Sequence, residues 1–269
     1  MWHLGGVTAP LAGIEALLVD LDGVLYVDDE AVAGAREAVV RLRAAGLALR
    51  FVTNTTSHSR AQTLGKLHRL GFDVSPGELV TPATLAVREC LARRRRRALL
   101  VLNEEVKEDF AELIEDEGAR ADVVIVGDLG ASFGYDVLNR AFRAVMGGAD
   151  LFALQKNRYW LRADGLSLDV GPFVAALEYA TRREAVVVGK PARSFFELVL
   201  DELGAAPGDA AMVGDDVESD VGGALAAGLA GVLVRTGKYR EDALSASGIQ
   251  PTATLDSIAD LPALLERRS

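Results

Sequence analysis

Cysteine and basic charge are both scarce in this sequence. The 269 residues include a single cysteine, Cys90, which excludes an internal disulfide and a zinc site made of several thiolates. The 29 basic residues are outnumbered by 39 acidic ones, so the net charge at pH 7 is −10. A chain with this charge repels a phosphate backbone, and we therefore expect no nucleic-acid partner.

Long apolar runs and a basic N-terminal segment are also missing. A membrane-spanning helix needs about 20 consecutive apolar residues, and a secretory signal starts with positively charged residues. We therefore expect a cytoplasmic protein without a membrane partner. With 50% hydrophobic and 25% charged residues, the composition is that of a globular protein that folds without cross-links, in one large domain or two moderate ones.

What the sequence does contain is an alternation of short apolar runs with amphipathic segments, which is typical of a parallel sheet flanked by helices. Five of the runs are predicted to be buried strands of one sheet, at 16–20, 47–53, 185–189, 210–214 and 231–235. Apolar side chains at helical spacing predict helices over 31–45, 60–70, 194–203 and 219–227, each followed by a glycine.

The middle of the chain has an alternation of its own. Strands are predicted at 98–102, 123–127 and 151–154, and helices over 104–117, 135–147 and 172–181. Because strands of the outer pattern resume at 185, this stretch is interpreted as an insertion. The predicted fold is therefore α/β: a doubly wound, mostly parallel, Rossmann-like sheet formed by residues 1–82 and 184–269, with a smaller inserted α/β domain at 83–183.

Polar residues follow four of the predicted strands, at the sheet edge where open α/β sheets bind their ligands. The first group is Asp20-Leu21-Asp22-Gly23. Its two carboxylates leave the strand on the same side. They suit a divalent cation, or a division of work between a nucleophile and a proton donor. Taken alone, the pair is explained equally well by two solvated aspartates in a loop.

The next two groups follow the second and third runs. Thr53, Asn54 and the hydroxyls beside them can form a cradle for an anion, cap the helix that follows, or do both. Lys190 places a fixed positive charge after the 185–189 run and is one of only five lysines in the chain. The alternative for Lys190 is a surface lysine at a turn.

The last group is Gly214-Asp215-Asp216, together with Asp220. Asp215 is a candidate metal ligand at a strand end. Asp216 or Asp220 would orient the metal ligands from outside the coordination shell. Asp216 is also a candidate helix cap. Acids, hydroxyls, a lysine and again acids, each at a strand end, favour Mg²⁺-assisted phosphoryl transfer, in which positioning and charge stabilisation provide most of the catalysis.

This ordered set resembles the motifs of the haloacid dehalogenase-like superfamily, which are an Asp-x-Asp loop, a threonine or serine, a lysine and a terminal acidic pair. The long insertion between the second and third motifs is similar to the α/β cap of its subclass IIA, the NagD-like phosphatases. The segments 135–142, 156–160, 169–180 and 236–239 look closest to members that act on phosphoamidates and pyrophosphate.

The resemblance implies a role for each motif residue. Asp20 would attack phosphorus and become an aspartyl phosphate. Asp22 would protonate the leaving group and then take a proton from the hydrolytic water. Thr53 and Lys190 would take part in catalysis by holding the phosphoryl oxygens, and Asn54 would hold them as well.

A Mg²⁺ cofactor is implied by the same resemblance. The metal ligands would be Asp20, the main-chain carbonyl of Asp22, and Asp215. Asp216 and Asp220 would support these ligands.

Substrate contacts are implied in two places. Next to the catalytic residues, Leu21 and Asn54 would bind the substrate. In the cap, four consecutive residues that follow a predicted strand are candidates for contacts with the leaving group: Asn157, Arg158, Tyr159 and Trp160. Packing of the two aromatic residues in the core of the cap is an equally good alternative.

The leading hypothesis is thus a Mg²⁺-dependent phosphatase for a small phosphorylated compound, with phosphoamidates and pyrophosphate as alternative substrates. A second hypothesis, from another class, is a phospho-aspartate signalling module, which also combines acids, a threonine and a lysine on a doubly wound sheet. Such modules are shorter and carry their phosphoacceptor on a central strand well after the acid pair, which argues against this hypothesis. The resemblance also allows a homodimer formed through the cap.

Overall fold

The computed structural model of the protein describes residues 11–162 and 165–266, with the backbone alone at 160–162. The described chain forms two compact units. One unit comprises 11–53, 66–79 and 196–266, and the other comprises 54–65, 80–162 and 165–195. Each unit contains a sheet of parallel strands with α-helices packed against it.

The elements follow one another along the chain in an alternating order. The strands are β1 (Ala16–Asp20), β2 (Tyr26–Val27), β3 (Glu30–Ala31), β4 (Ala48–Val52), β5 (Leu79–Val80), β6 (Arg97–Val101), β7 (Ile114–Glu115), β8 (Val123–Val126), β9 (Asp150–Ala153), β10 (Tyr159–Arg162), β11 (Gly165–Leu168), β12 (Val186–Val187), β13 (Ala210–Gly214), β14 (Ala230–Val234) and β15 (Ala253–Leu255). The α-helices are α1 (Ala35–Ala44), α2 (Arg60–Arg69), α3 (Pro82–Ala92), α4 (Glu104–Lys107), α5 (Tyr135–Met146), α6 (Gly171–Thr181), α7 (Arg193–Leu203), α8 (Gly223–Ala227), α9 (Glu241–Ser247) and α10 (Leu261–Glu266).

The larger sheet has six strands in the order β15-β14-β13-β1-β4-β5. β1 lies between β13 and β4, is parallel to both, and is buried along its whole length, as expected for a strand covered on both faces. The register pairs Asp20 with Val52 and Val19 with Val213. Thr53 and the Asp215 turn therefore follow their strands at the edge of the sheet where Asp20 lies. Four of the five predicted strands and the α/β class are confirmed.

The smaller sheet has five strands in the order β12-β9-β8-β6-β7, and its β6–β7, β6–β8, β8–β9 and β12–β9 pairings are parallel. Its core is aliphatic, with Leu99, Val124, Leu151 and Val174 among the buried residues. The antiparallel hairpin β10–β11 follows β9. The central strands of this sheet are those predicted from the apolar runs of the middle stretch.

The fifth predicted strand of the larger sheet is assigned wrongly. The run 185–189 forms the short strand β12, which pairs with β9 in the smaller sheet, with Val186 opposite Phe152. An apolar run shows that a segment is a strand but not which sheet it joins, because the partner is chosen by packing of distant segments. The predicted boundaries of the inserted domain, at 82/83 and 183/184, stay a prediction.

Three predicted helices also differ from the structure. The segment 31–45 is helical only over α1, from Ala35 to Ala44, and its first residue lies in β3. The segment 104–117 forms only the short helix α4, a 3₁₀ turn at Glu108–Phe110 and the strand β7, and Lys107 pairs with both Glu104 and Glu115 at 2.7 Å. The segment 219–227 begins earlier, as a π-helical turn at Val217–Gly222 that continues into α8.

None of the helices in the described part of the chain combines the length and the apolar character needed to cross a bilayer.

Candidate active site

The chain turns sharply where β1 ends. Asp20, the last residue of β1, is buried. The carbonyl of Leu21 accepts a hydrogen bond from the N–H of Leu25 at 2.9 Å, so the loop folds back on itself. The side chain of Leu21 is fully buried in the core, and a substrate contact at this residue would have to be made by its main chain. The turn keeps Asp22 at the same edge of the sheet as Asp20.

Tyr26 lies against the second aspartate of the loop. Its hydroxyl donates to Oδ2 of Asp22 over 3.4 Å, and the ammonium group of Lys66 lies 4.2 Å from the centre of its ring. Burial raises the pKa of Tyr26, and the negative charges of Asp22 and Asp20 raise it further. The phenol therefore stays protonated and acts as a hydrogen-bond donor toward Asp22.

Three carboxylates meet at this edge of the sheet. One oxygen each of Asp20, Asp215 and Asp220 lies within 4.8 Å of the other two, and the residues are only 1% to 7% exposed. Buried like charges are costly unless a cation pairs with them. The sequence predicts Asp20 and Asp215 as metal ligands and Asp220 as their support, and the structure places all three carboxylates in one cluster.

The two oxygens of Asp215 have different surroundings. Oδ2 accepts a hydrogen bond from the N–H of Lys238 at 2.6 Å, whereas Oδ1 is buried without a hydrogen-bond partner among the described residues. Burial, with added repulsion from Asp20, raises the pKa of Asp215 to about 7. A divalent cation that takes oxygen ligands would satisfy Oδ1 and keep the carboxylate ionised, so this donor set fits Mg²⁺.

Two glycines make room for the Asp215 carboxylate. A Cβ atom at Gly23 would lie 1.8 Å from Oδ2 of Asp215, and a Cβ atom at Gly237 would lie 2.0 Å from it. Both glycines also have a positive φ, of 81° and 61°. Any side chain at either position would displace the carboxylate from its place in the cluster.

Asp216 has a different role from its neighbour. It caps the π-helical turn, where its Oδ1 accepts hydrogen bonds from the N–H groups of Glu218 and Ser219 at 3.0 and 2.9 Å. Its own N–H donates to Oδ2 of Asp220 at 3.1 Å. The capping role predicted for Asp216 is confirmed, and its main chain contacts a member of the acidic cluster.

The segment that follows β14 belongs to the site, although the sequence reasoning gave it no role. Thr236 donates a side-chain hydrogen bond to the carbonyl of Gly23, Gly237 lies against Asp215, and Lys238 donates its N–H to the same carboxylate. Partial burial lowers the pKa of Lys238, but the charges of Asp20, Asp215 and the neighbouring acids outweigh it and raise the pKa. The sequence offered two signals, which are the position of these residues just after a strand of the same sheet and the family resemblance of the segment 236–239.

The residues of the predicted phosphate cradle belong to different units. Thr53 follows β4 in the unit of the larger sheet and is buried. Asn54 and Lys190 belong to the other unit, where the side chain of Asn54 makes two hydrogen bonds of 2.8 Å to the main chain of Lys190. Lys190 is 2% exposed, so the alternative of a surface lysine at a turn is wrong.

The predicted leaving-group contacts of the inserted region lie just before and within β10. The N–H of Asn157 donates to the side chain of the buried Gln155, and its carbonyl accepts from the N–H of Gly171 at 2.9 Å. Tyr159 is 54% exposed and carries the guanidinium of Arg158 over its ring, at 5.6 Å. Core packing of Tyr159 is therefore wrong, and the side chain of Trp160 lies outside the described residues.

Comparison with known proteins gives matches over both parts of the larger sheet. Residues 17–118 match the family model described as haloacid dehalogenase-like hydrolase, and residues 187–261 match the one described as HAD-hydrolase-like. Haloacid dehalogenase-like hydrolase domain-containing protein 2 of Homo sapiens is 45% identical over 232 residues, which are 86% of this chain and 88% of that protein. Phospholysine phosphohistidine inorganic pyrophosphate phosphatase of Bos taurus is 41% identical over 263 residues, 95% of each chain.

Two solved structures superpose on this chain over most of its length. The p-nitrophenyl phosphatase from Archaeoglobus fulgidus superposes with a TM-score of 0.87 at 26% identity, over 93% of this chain and 98% of that one. NagD from Escherichia coli superposes with a TM-score of 0.81 at 25% identity, over 92% of this chain and 98% of that one. The resemblance drawn from the motifs is confirmed.

Proposed function

This chain belongs to the haloacid dehalogenase-like hydrolases, in their NagD-like branch, and is a phosphatase; we propose that it depends on Mg²⁺ and works through an aspartyl phosphate formed on Asp20. The observation that carries the proposal is the buried cluster of Asp20, Asp215 and Asp220, in which one oxygen of Asp215 has no partner among the described groups. Burial of three carboxylates so close together is costly, and a bound cation would offset part of that cost.

In this proposal the metal is held by the carboxylates of Asp20 and Asp215 and by the main-chain carbonyl of Asp22, with Asp220 beside them. Mg²⁺ prefers oxygen ligands and keeps several waters, which suits two carboxylates and one carbonyl. When bound, it supplies positive charge that neutralises the phosphoryl oxygens and the nucleophile.

Asp20 and Asp22 divide the chemistry between them. A carboxylate oxygen of Asp20 forms a bond to phosphorus while the bond from phosphorus to the leaving group breaks, and Asp22 donates a proton to that group. Asp22 then accepts a proton from water, which attacks phosphorus, releases Asp20 and yields inorganic phosphate. The hydroxyl of Tyr26 supports this work because it holds Asp22 from one side.

The phosphoryl oxygens are assigned to Thr53 and Lys190, as the family pattern implies. Donors and fixed charges aimed at these oxygens stabilise the charge that develops in the transition state, commonly by two to three orders of magnitude in rate. Leu21 contributes through its main chain, since its side chain is buried in the core. Asn157, Arg158 and Tyr159 are the proposed contacts of the leaving group, and the exposure of Tyr159 supports that role.

The proposed substrate is a small phosphorylated compound. A phosphate ester is the first candidate, because the structural neighbour from Archaeoglobus fulgidus is named a p-nitrophenyl phosphatase. A phosphoamidate or pyrophosphate is the second, because the name of the cattle relative, 41% identical over 95% of this chain, includes those substrates. A homodimer through the inserted domain stays a prediction, which light scattering coupled to size-exclusion chromatography measures.

Phosphate release from p-nitrophenyl phosphate tests the proposal. The wild type should turn over with Mg²⁺ and stop with chelator, and Asp20→Asn should lose turnover at least about 1,000-fold. A phosphoamidate and pyrophosphate, assayed in parallel, separate the two substrate candidates. Turnover that survives chelation or the Asp20→Asn change would overturn the proposal, and a phosphoryl group that persists on the protein would favour a signalling module.

A further inference from the structure

Asn54 makes two hydrogen bonds to the main chain of a single residue, Lys190. Its Nδ2 donates to the carbonyl oxygen of Lys190 at 2.8 Å, and its Oδ1 accepts from the N–H of Lys190, also at 2.8 Å. Both residues belong to the same unit, although 136 positions separate them in sequence. The side-chain amide thus pairs with Lys190 as a peptide group of a neighbouring strand would.

The hydrogen bonds between Asn54 and Lys190 lie just beyond the end of β12. β12 ends at Val187, and a hydrogen bond of 3.0 Å from the N–H of Val188 to the carbonyl of Ala153 extends its pairing by one residue. Lys190 is buried, and a buried main-chain N–H or carbonyl requires a partner. Asn54 provides a partner for both groups of Lys190.

Gly189 allows the two segments to come this close. A Cβ atom at this position would lie 3.0 Å from Oδ1 of Asn54 and 2.4 Å from the carbonyl oxygen of Leu154. On the other side of Lys190, the turn is closed by a hydrogen bond of 3.0 Å from the N–H of Ala192 to the carbonyl of Gly189. The main chain at Lys190 is thereby fixed before and after the residue, which sets the Cα atom from which its side chain starts.

The loop that carries Asn54 is anchored at its far end. The N–H of Arg60, at the start of α2, donates to both oxygens of Asp109 at 3.2 and 2.9 Å. Ser59 and Gln62 cap each other, with hydrogen bonds of 3.0 and 3.2 Å. Asn54 therefore joins Lys190 to a loop that is itself held in place.

From these contacts we infer that Asn54 is a positioning residue, whose side chain places Lys190 and does not itself bind the substrate. The inference rests on the proposed function, in which Lys190 holds a phosphoryl oxygen. It replaces the direct role that the family resemblance implies for the side chain of Asn54. Displacement of a charged group by about 1 Å can cost a hundredfold in rate, so the hydrogen bonds from Asn54 are expected to matter for catalysis.

A double-mutant cycle tests this inference. The variants are Asn54→Ala, Lys190→Met and the two combined, with Asn139→Ala on α5 as a matched control, since Asn139 is half-buried like Asn54 and lies in the same unit. Turnover of p-nitrophenyl phosphate with Mg²⁺ and calorimetric binding of inorganic phosphate are the readouts. Thermal melting identifies a variant that fails to fold, and Asn54→Asp, which keeps the acceptor and loses the donor, then replaces Asn54→Ala.

We expect Lys190→Met to lower kcat/KM at least about 100-fold and Asn54→Ala to lower it about 10- to 100-fold. In the combined variant, the loss should equal that of Lys190→Met alone within about threefold, because a positioning residue has nothing left to place. The control should match the wild type. Phosphate affinity should follow the same pattern.

Each other outcome overturns a defined part of the account. Losses that multiply in the combined variant would overturn the inference alone, because Asn54 would then act on the substrate independently of Lys190. An Asn54→Ala variant that equals the wild type would overturn it as well. A wild type that neither turns over nor binds phosphate, or an ineffective Lys190→Met change, would overturn the proposed function and the inference with it.

Discussion

The main-chain N–H of Lys238 donates a 2.6 Å hydrogen bond to Oδ2 of Asp215, and the other oxygen of that carboxylate is buried without a partner among the described groups. One oxygen of the carboxylate is therefore held by the protein, and the other is the oxygen that the proposed cation would contact. The positive charge of Lys238 lowers the pKa of Asp215, but burial and repulsion from Asp20 outweigh it, so the ionised carboxylate is still disfavoured. The metal proposed for this site would complete the balance.

The first prediction concerns the stability of the metal-free protein. Because the pKa of Asp215 is about 7 in the folded state and about 4 in an unfolded chain, the folded state retains a proton between these pH values that the unfolded state has released. The free energy of unfolding should therefore fall as pH rises from about 4 to about 7, and stay low above it. Asp215→Asn removes this loss and should stabilise the chelated protein at pH 8 by about 2–4 kcal/mol.

Urea unfolding of the two proteins in chelator, at several pH values, measures this difference. Added Mg²⁺ should raise the unfolding free energy of the wild type at pH 8 and leave Asp215→Asn nearly unchanged. Parallel pH profiles for both proteins in chelator would contradict a buried, ionising Asp215.

The second prediction uses two glycines of similar conformation. Gly237 and Gly248 have φ values of 61° and 69°, but a Cβ atom at Gly237 would meet Asp215, whereas one at Gly248 would meet no atom within 4 Å. Alanine at either position should cost about 1–2 kcal/mol, because the left-handed conformation is unfavourable for it. Only Gly237→Ala should also lose Mg²⁺-dependent turnover, by about 100-fold or more. Equal turnover in the two variants would show that the close approach of Gly237 to Asp215 is not required for turnover.

The third prediction distinguishes Asp216 from Asp220. Sequence analysis gives both residues the same role, as supports of the metal ligands. Asp216→Asn keeps an oxygen that can cap the π-helical turn, and asparagine is a good capping residue. Asp220→Asn removes a charge from the acidic cluster. The Mg²⁺ concentration that gives half-maximal turnover should rise at least about tenfold more for Asp220→Asn than for Asp216→Asn. The reverse order would place the metal nearer to Asp216 than this account allows.

The fourth prediction is a reactivity test of the inserted region. Cys90 is fully buried in α3, and burial, with a contribution from Glu89, raises the pKa of its thiol to about 12. Since the thiolate is the reactive form, a thiol reagent at pH 8 should leave native Cys90 unmodified and label it completely in urea. Rapid labelling of the folded protein would mean that α3 packs less closely than described.

Much of the fold could be predicted from sequence because the strands next to the site are mostly apolar runs. The strands β1 and β13 begin and end where predicted, and β4 and β14 do so within one residue. Such runs report burial on both faces of a strand. They do not report the neighbouring strand, which is why β12 was assigned to the larger sheet although it pairs with β9.

The candidate site likewise contains residues that could be predicted from sequence and contacts that could not. Asp20, Asp215 and Asp220 could be predicted as candidates because each lies at or shortly after the end of a strand of the larger sheet, where ligands bind in open α/β folds. The partner of Asn54 could not, since the side chain meets a main chain 136 residues away and any residue type offers the same N–H and carbonyl. The donation from Lys238 to Asp215 escaped sequence reasoning for the same reason, because it also uses a main-chain group.

Phosphorylation of Asp20 during turnover is the step on which the proposed mechanism depends. The most direct measurement is mass spectrometry of peptides from a reaction with p-nitrophenyl phosphate that is quenched in acid, using Asp22→Asn so that hydrolysis of the intermediate is slowed. We expect one added phosphoryl group on Asp20, which requires Mg²⁺, is absent in Asp20→Asn, and is lost on further incubation. Turnover by the wild type without phosphorylation of Asp20 under any quench, or the group on another residue, would contradict it.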